Sequence, residues 1–239
     1  MVKTVSASEG IHVNVAIAEA GAREALYTDK RAAYFDGARA DMLARLPDDP
    51  AAAVIEIGCG SGATGAMALR DGKAGRYVGV ELSNAAASVA ARRLSEVVVG
   101  DVEAMRLPWQ PGSFDALILS EVLEHLIEPW SVVSRAVQLV RPGGRVLASS
   151  PNVAHWRVVR EIMMGRFELA DEGVFDRTHM RWFTPTTFRR LFEQAGVEIV
   201  DVGPVTPFAA RTRMLSRLTG GRLDHLFMSQ ILLEGRRIG

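Results

Sequence analysis

Short apolar runs alternate with stretches of helical pattern between residues 53 and 149, and this feature limits the fold more than any other. Such alternation predicts strands joined by crossover helices in a parallel sheet. This region supplies five predicted strands, and the rest of the chain supplies two. The seven predicted strands are Ala53–Ile57, Tyr77–Leu82, Glu96–Val99, Ala116–Ser120, Arg145–Ser149, Val197–Val202 and Ser229–Arg236.

The helical stretches lie between these strands, and the last one carries clear end signals. Thr184 is a suitable N-cap, Pro185 suits the first turn, and Gly196 suits the stop. No full crossover helix separates the final two strands, which predicts an antiparallel pair at the sheet edge. The predicted helices are Ala63–Arg70, Ala85–Arg93, Ser131–Val140 and Thr184–Ala195.

The 239 residues suit one domain, or one domain plus an appendage. A mostly helical stretch ends at Pro47 and Pro50, so we predict an N-terminal helical cover over residues 1–46 and a main domain over 47–239. Two segments interrupt the main domain: residues 152–183, and the arginine-rich residues 206–225, which have no strand pattern. Connections this long usually carry function in a compact domain.

The balance of charges excludes several classes of protein. Lys+Arg and Asp+Glu both number 28, which argues against a protein held to nucleic acid or membrane by bulk electrostatics but is compatible with a local basic patch. A single cysteine, Cys59, excludes an internal disulfide and a cysteine-rich zinc site. No apolar run reaches the ~18 residues of a membrane span, and polar residues interrupt any signal-like stretch near the N-terminus. We therefore expect a cytoplasmic protein without a membrane span.

The first predicted strand runs directly into a loop that contains Gly58, Gly60 and Gly62. Glycines let the chain turn sharply and bring its backbone against a ligand. The helix that begins near Ala63 would point its amide groups at the same place. Taken alone, the loop also fits a plain tight turn between a strand and a helix.

Two acidic residues at the ends of the next strands favour a nucleoside ligand. Glu81 ends the second strand, about 20 residues after the loop, where a carboxylate can accept both hydroxyls of a ribose. Asp101 follows the third strand and is placed to accept from an adenine amine, although it also suits a solvated turn. Three ligand groups at three successive strand ends predict a nucleoside across the carboxyl edge of the sheet.

The consecutive motifs resemble those of class I S-adenosylmethionine-dependent methyltransferases over residues 50–150. They are Glu56-Ile-Gly-Cys-Gly-Ser-Gly62, Val80-Glu-Leu-Ser83, Gly100-Asp-Val-Glu103, Phe114-Asp-Ala-Leu-Ile-Leu-Ser-Glu121 and Arg141-Pro-Gly-Gly-Arg145. The resemblance implies a Rossmann-like doubly wound α/β fold, with a seven-stranded sheet whose last strand is antiparallel, N-terminal helices and an insert after strand five. It implies S-adenosylmethionine as cofactor, with methionine at Glu56 and the glycine loop, ribose at Glu81 and adenine at Asp101. The implied cofactor residues are Glu56, Gly58, Cys59, Gly60, Gly62, Glu81, Leu82, Asp101, Val102 and Ser120.

A cluster of potential metal ligands follows the fourth strand. If a helical turn begins there, Glu121, Glu124 and His125 share one face, and this set suits Mg²⁺, Mn²⁺ or Fe²⁺. The same residues can instead cap a helix or line the cofactor pocket. With His179, which ends the long insert, the set resembles the metal site of small-RNA 3′-terminal 2′-O-methyltransferases. Ubiquinone-pathway O-methyltransferases are similar over the first three positions. We expect a Mg²⁺ or Mn²⁺ site on this resemblance.

The insert itself resembles a bacterial subgroup of the family that is associated with methylation of sugars and glycans. The similarity rests on Ser150-Pro-Asn-Val-Ala-His-Trp156, Gly165-Arg-Phe167 and the run from Asp171 to Thr184. Aromatic residues of this region either wall an acceptor pocket or form the core beneath the insert. They are Trp156, Phe167, Phe175, Trp182 and Phe183.

We therefore predict an O-methyltransferase that acts on a hydroxyl of a sugar or other small molecule. His155 and His179 are the candidate general bases, with Asp176 behind them. The alternatives are an RNA 3′-terminal 2′-O-methyltransferase, a cofactor-binding but inactive scaffold and an NAD-linked oxidoreductase. Zero net charge argues against the first, intact motifs against the second, and glycine spacing against the third. We expect no nucleic-acid partner and leave a homodimer open.

Overall fold

A computed structural model describes residues 37–239, which form a seven-stranded mixed sheet with helices on both faces. The order of strands across the sheet is β3-β2-β1-β4-β5-β7-β6. The strands are β1 Ala53–Ile57, β2 Arg76–Glu81, β3 Glu96–Val99, β4 Phe114–Ser120, β5 Val140–Pro151, β6 Val197–Pro204 and β7 Gln230–Arg237.

Seven α-helices occur in the described residues, and none of them is long and apolar enough to cross a membrane. Two short 3₁₀ turns, Leu123–His125 and Asp224–Leu226, complete the regular structure. The helices are α1 Ala40–Leu43, α2 Ala63–Arg70, α3 Asn84–Ala90, α4 Pro129–Leu139, α5 Trp156–Met163, α6 Pro185–Gln194 and α7 Ala210–Thr219.

Strand direction confirms the predicted fold and refines its last part. Strands β1 to β5 are mutually parallel, and β7 is antiparallel to both of its neighbours, β5 and β6. The predicted antiparallel pair is therefore present, with β7 inside the sheet and β6 at its edge. Strand order reverses between β1 and β4, and an open α/β sheet binds ligands at such a crevice.

Alternate residues of the strands supply two apolar layers, one on each face of the sheet. Ile55 and Val78 belong to the layer beneath α4 and α6, whereas Val54 and Tyr77 belong to the layer beneath α1 and α2. Successive side chains of a strand point to opposite faces, so a strand buried on both faces is apolar almost throughout. This explains the short apolar runs of the sequence.

The largest difference from the predicted elements is the length of β5, which extends from Val140 to Pro151 rather than from Arg145 to Ser149. Its first residue pairs with Phe114 across a register shift, and its last pairs with Gln230 of β7. The predicted cover over residues 1–46 lies outside the described residues except for 37–46, which include α1. The two interrupting segments contain α5 and α7.

Candidate active site

A cavity of about 650 Å³ opens at the carboxyl edge of the parallel strands, where the strand order reverses. This volume lies within the range of ligand-binding pockets. Most of the predicted site residues line it, but Gly62 and His155 are not among them. The lining residues that the sequence predicted are Glu56, Gly58, Cys59, Gly60, Glu81, Leu82, Asp101, Val102, Ser120, Glu121, Glu124, His125, Asp176 and His179.

The glycine loop adopts a backbone that side chains rarely allow. Gly58, Gly60 and Gly62 have φ angles of 75°, 54° and 79°, which L-amino acids with a Cβ atom seldom adopt. A Cβ atom at Gly58 would also lie 2.9 Å from the side chain of Val122. The loop therefore needs glycine at this position both for its conformation and for its packing.

The carboxylate of Glu81 ties the end of β2 to the glycine loop. Its Oε2 accepts a hydrogen bond of 2.9 Å from the amide of Gly60, and its Oε1 accepts one of 2.8 Å from the amide of Ser83. Burial raises the pKa of Glu81, and these amide donors oppose that rise. Each oxygen keeps lone-pair capacity for a further donor, as a ribose diol would supply.

Glu56 is buried at the end of β1 and faces the same cavity. Its Oε2 accepts a hydrogen bond of 2.9 Å from the hydroxyl of Tyr77. Burial raises the pKa of Glu56 to about 8, and the charge of Glu81 raises it further, while Tyr77 and Arg39 oppose the change. A cationic group near Glu56 would favour its ionised form. This site therefore suits the ammonium group of a ligand.

Asp101 and Val102, which are predicted to contact the adenine, lie in the turn that follows β3. Asp101 Oδ1 accepts a hydrogen bond of 2.9 Å from the amide of Glu103, which shapes the turn. Val102 is buried and lines the cavity beside it. An acidic and an apolar residue together suit the edge and the face of a planar base.

Arg39 is a residue of this site that the sequence reasoning missed. Its guanidinium pairs with both oxygens of Asp41, and its Nη1 donates to Ser120 Oγ at 2.5 Å and to Ser149 Oγ at 2.8 Å. The two serines lie at the ends of β4 and β5. No local pattern links a residue before β1 to those strand ends, so only the fold brings them together.

Glu121 differs from its predicted environment. Among residues 37–239 it is the only non-glycine residue with a positive φ, 49°, and it precedes the 3₁₀ turn. The prediction that Glu121, Glu124 and His125 share one face of a helical turn is therefore wrong for Glu121. Its Oε1 accepts from Ser149 at 2.5 Å, and its Oε2 accepts from Gln230 at 3.1 Å. Strained residues of this kind cluster at functional sites.

Glu124, His125 and His179 converge although the two histidines are 54 positions apart in the sequence. One potential ligand atom from each of the three lies within 4.8 Å of the other two, and the imidazole centroids are 4.7 Å apart. Two ligands held ~2.0–2.6 Å from one ion can lie up to ~5.2 Å apart. The cluster therefore has the dimensions of a three-ligand metal site, and Glu121 stands outside it.

Hydrogen bonds orient both imidazoles for such a role. Nδ1 of His125 lies 3.1 Å from the carbonyl oxygen of Thr178, and Nδ1 of His179 lies 3.1 Å from that of Val174. A carbonyl only accepts, so each Nδ1 carries the proton, and in the neutral ring Nε2 keeps its lone pair. Metal-binding histidines are commonly held in this way.

Glu124 supplies the strongest signal that the cluster binds a ligand. Its Oε2 accepts a hydrogen bond of 3.2 Å from Ser150, but its Oε1 is buried and has no hydrogen-bond partner among the described residues. Burial, and then the charge of Glu121, raises the pKa of Glu124 well above its usual range. A buried carboxylate oxygen without a partner is costly unless a proton or a cation satisfies it.

Two backbone contacts fix the insert against this cluster. The amides of Met180 and Arg181 both donate to the carbonyl oxygen of Glu124, at 2.7 and 3.0 Å. Asp176 is buried, and its Oδ1 accepts from the amide and the hydroxyl of Thr178, which shapes the turn that carries His179. Asp176 is thus placed as a structural support of that turn.

His155 and the predicted aromatic wall lie elsewhere. His155 is the N-cap residue of α5, and burial followed by the charge of Arg157 lowers its pKa. None of the five aromatic residues lines the cavity. Phe183 is buried in the core, whereas Phe167 packs against Phe175 and Trp182 at ring-centroid distances of 4.6 and 5.6 Å.

Comparison with known proteins gives a family match over most of the chain. The model of a family described as methyltransferase domain matches residues 27–202. The chain is 30% identical over 160 residues to the ubiquinone biosynthesis O-methyltransferase of Cupriavidus pinatubonensis, an alignment that covers 64% of this chain and 63% of that protein. It is 32% identical over 117 residues to an uncharacterized 37.1 kDa protein in transposon TN4556 of Streptomyces fradiae, covering 46% of this chain and 33% of that protein. The chain thus spans between a third and two thirds of these relatives.

Solved structures share the fold at low sequence identity. An S-adenosylmethionine-dependent methyltransferase from Mesorhizobium loti superposes with a TM-score of 0.59 at 20% identity, covering 85% of this chain and all 100% of that one. The [4+2]-cyclase SpnF superposes with a TM-score of 0.58 at 22% identity, covering 83% and 80%. Likeness at this level establishes the architecture.

Proposed function

The chain belongs to the methyltransferase domain family, in the S-adenosylmethionine-dependent class I, and from that premise we propose that it methylates a hydroxyl group. The acceptor in this proposal is a sugar, a glycan or another small molecule with adjacent hydroxyls. The observation that supports it best is one cavity that is lined both by Glu81 with the glycine loop and by Glu124, His125 and His179. A cofactor and an acceptor can therefore meet within a single enclosure.

The residues of the chain contribute mainly by positioning. Glu81 and the glycine loop would hold the nucleoside, and Glu56 would hold the amino group of the methionine part. Arg39 and Glu121 carry opposite charges, lie 3.8 Å apart and flank Ser120 in the same cavity. Transfer of a methyl group requires the acceptor oxygen, the methyl carbon and the sulfur to be aligned, so most of the rate would come from fixed orientation.

The cluster fits a divalent cation by its donor set. Glu124 Oε1 lacks a partner among the described residues, and each imidazole has its Nδ1 against a backbone carbonyl oxygen, as is common for histidines that bind a metal through Nε2. Glu124, His125 and His179 would hold the ion, leaving further positions open for acceptor oxygens. When bound, Mg²⁺ or Mn²⁺ supplies Lewis acidity that lowers the pKa of an acceptor hydroxyl. In the absence of an ion, His179 is the residue that could accept the proton.

Two other functions fit the site less well. Terminal 2′-O-methylation of RNA would use the same cluster, but it also calls for an extended basic groove, and acidic Glu172, Asp176 and Glu121 line this cavity. An inactive scaffold would keep the cofactor residues but has no need of the buried carboxylate of Glu124. SpnF shows that the architecture also hosts a cyclase. The acceptor therefore has to be found by assay.

The experiment that tests methyl transfer is incubation with S-adenosylmethionine labelled in its methyl group and a panel of glycans, glycosides and phenols. Label is expected in a sugar or phenol hydroxyl. Nuclear magnetic resonance of the product identifies the methylated position. If the protein binds S-adenosylhomocysteine tightly but labels no member of the panel or of a total cell extract, the scaffold function replaces the proposal.

The metal is tested separately by calorimetry with Mn²⁺ on the protein without acceptor. A His179→Ala variant is expected to lose Mn²⁺ binding while it retains affinity for S-adenosylhomocysteine. His225→Ala is the matched control, because His225 lies outside the cavity. Unaltered Mn²⁺ affinity in His179→Ala would remove His179 from the proposed ligands. Full activity in excess chelator would leave His179 as a general base without a metal.

A further inference from the structure

The segment that contains α7 is the most basic part of a chain that is neutral overall. Residues 205–223 include Arg211, Arg213, Arg217 and Arg222 and not a single acidic residue. None of these four arginines forms an ion pair within the described residues. The charge of this segment is therefore available to an anionic partner.

Helix α7 also presents apolar side chains to solvent. Met214 and Leu218 are 62% and 77% exposed, and residues four apart lie on the same face of a helix. No residue of α7 is buried, so the helix contributes little to the core. One face of α7, which includes Leu215, is half-buried, whereas its solvent face carries both basic and apolar side chains. Such a solvent face is typical of a segment that lies on a membrane surface.

A second exposed apolar segment lies at the same edge of the sheet. Residues 163–169, which end α5 and follow it, include Met163 at 82% exposure together with exposed Met164, Phe167 and Leu169. Both segments belong to the carboxyl edge of the sheet, because α5 follows β5 and α7 lies between β6 and the start of β7. We call residues 163–169 and α7 the rim surface.

The rim surface adjoins the mouth of the cavity. The side-chain amide of Asn152, before α5, donates at 2.7 and 2.8 Å to the carbonyl oxygens of His225 and Met228, in and just after the 3₁₀ turn that follows α7. The next residues, Ser229 and Gln230, line the cavity. A partner that covers the rim surface would thus lie beside the entrance to the active site.

We propose that the rim surface docks onto an anionic lipid bilayer and that the acceptor is an amphiphile presented at that bilayer. The second clause rests on the proposed methyl transfer, and the first does not. Met214, Leu218 and Met163 enter the interfacial region of the lipid, while the arginines bind anionic headgroups. The hydroxyl-bearing head of the acceptor then reaches the cavity without leaving the membrane surface.

Two other partners fit the rim surface less well. A symmetric dimer through this surface would bring the basic α7 of each copy into one interface, and residues 205–223 contain no acidic residue to offset that charge. A nucleic acid would bind the arginines but would leave Met214 and Leu218 without an apolar partner. Anionic lipid matches both the charge and the exposed apolar side chains.

The test is flotation of the full chain with vesicles, without cofactor or acceptor. One set of vesicles is phosphatidylcholine, and the other is an equal mixture of phosphatidylcholine and phosphatidylglycerol. We expect binding to the anionic vesicles alone, weakened by salt. The double variant Met214→Ser/Leu218→Ser should bind about tenfold or more weakly. The double variant Arg213→Gln/Arg217→Gln should lose about fivefold per arginine.

The matched control is Val200→Ser/Ile238→Ser, which removes two side chains that are similarly exposed away from the rim surface. It should bind the vesicles as the parent chain does. All variants should keep the thermal midpoint and the affinity for S-adenosylhomocysteine of the parent, because none of the changed residues lines the cavity.

Absence of binding to anionic vesicles, or equal binding by every variant, would overturn the proposal. A dimer that the Met214→Ser/Leu218→Ser change dissociates would assign the surface to a second copy.

Vesicle binding is measured without turnover, so its failure leaves the proposed methyl transfer untouched. Conversely, vesicle binding without any methylation would retain the docking surface and reject the enzymatic part. The acceptor clause is tested by comparing a water-soluble acceptor with the same head group attached to a lipid in anionic vesicles. The rim variants should slow methylation of the lipid-attached acceptor only, and equal slowing of both would reject the clause.

Discussion

Replacing Glu81 tests the assignment of the cofactor site most directly. Glu81→Ala removes the carboxylate that accepts from Gly60 and Ser83 and that we expect to accept both ribose hydroxyls. Glu81→Gln keeps one acceptor oxygen but replaces the other by a donor. That donor cannot bind a backbone amide or accept from a hydroxyl, so the two variants should differ in a graded way.

The expected loss follows from the number of hydrogen bonds to the charged acceptor. Each such bond contributes ~1.5–3 kcal/mol, so loss of two ribose contacts in Glu81→Ala weakens binding by at most ~3–6 kcal/mol. Glu81→Gln should lose about half of this binding free energy, which weakens the affinity roughly 10- to 150-fold. Release of the Gly60 amide adds to the loss, because the loop is then less well ordered before the ligand binds.

Calorimetry with S-adenosylhomocysteine and its 2′-deoxy analogue measures these losses of binding free energy. Removal of the hydroxyl should weaken binding to the parent chain more than binding to Glu81→Ala, since the partner of that hydroxyl is already missing. Glu198→Gln is the matched control, an exposed acid on β6 far from the cavity. If a folded Glu81→Ala variant binds both ligands as the parent does, the ribose assignment is wrong, and tight NAD binding would also contradict it.

Two further predictions concern stability. Gly58→Ala should lower the free energy of unfolding by ~2–5 kcal/mol in urea titrations, because it adds left-handed strain and a contact with Val122. Gly143 has a φ of 76° and open space around it, so Gly143→Ala should be destabilised only by the left-handed strain. Equal losses of stability in the two variants would show that the contact with Val122 contributes nothing. Burial would raise the pKa of Asp115, but the Ala53 amide and Arg141 outweigh it and lower that pKa. Asp115 therefore stabilises the fold fully at pH values above ~3.9, the pKa of an aspartate in the unfolded chain. This stabilisation is lost as the pH falls below that value. Asp115→Asn should be less stable than the parent at neutral pH and converge with it in acid, and a constant difference would refute this.

Local pattern was sufficient for the parallel half of the sheet. The predicted bounds of β1, α2 and β3 agree with the structure. Both strands contain short apolar runs, and a glycine follows each of them directly. Local pattern was insufficient for β5, whose predicted end at Ser149 falls two residues short, within the pair of buried polar residues Ser149 and Ser150. Their hydroxyls are satisfied by Glu121 and Glu124, which come from a different strand end.

The sequence by itself determined the fold class, the glycine loop and the acidic residues at successive strand ends, since each depends on residues close together in the chain. Only the tertiary structure decided which distant side chains meet. It brought Arg39 to Ser120, joined His179 to His125 and placed His155 away from the cavity. It also set β7 between β5 and β6. The physical reason is that contacts across a sheet edge depend on strand order and loop path, and neither leaves a periodic signal in the sequence.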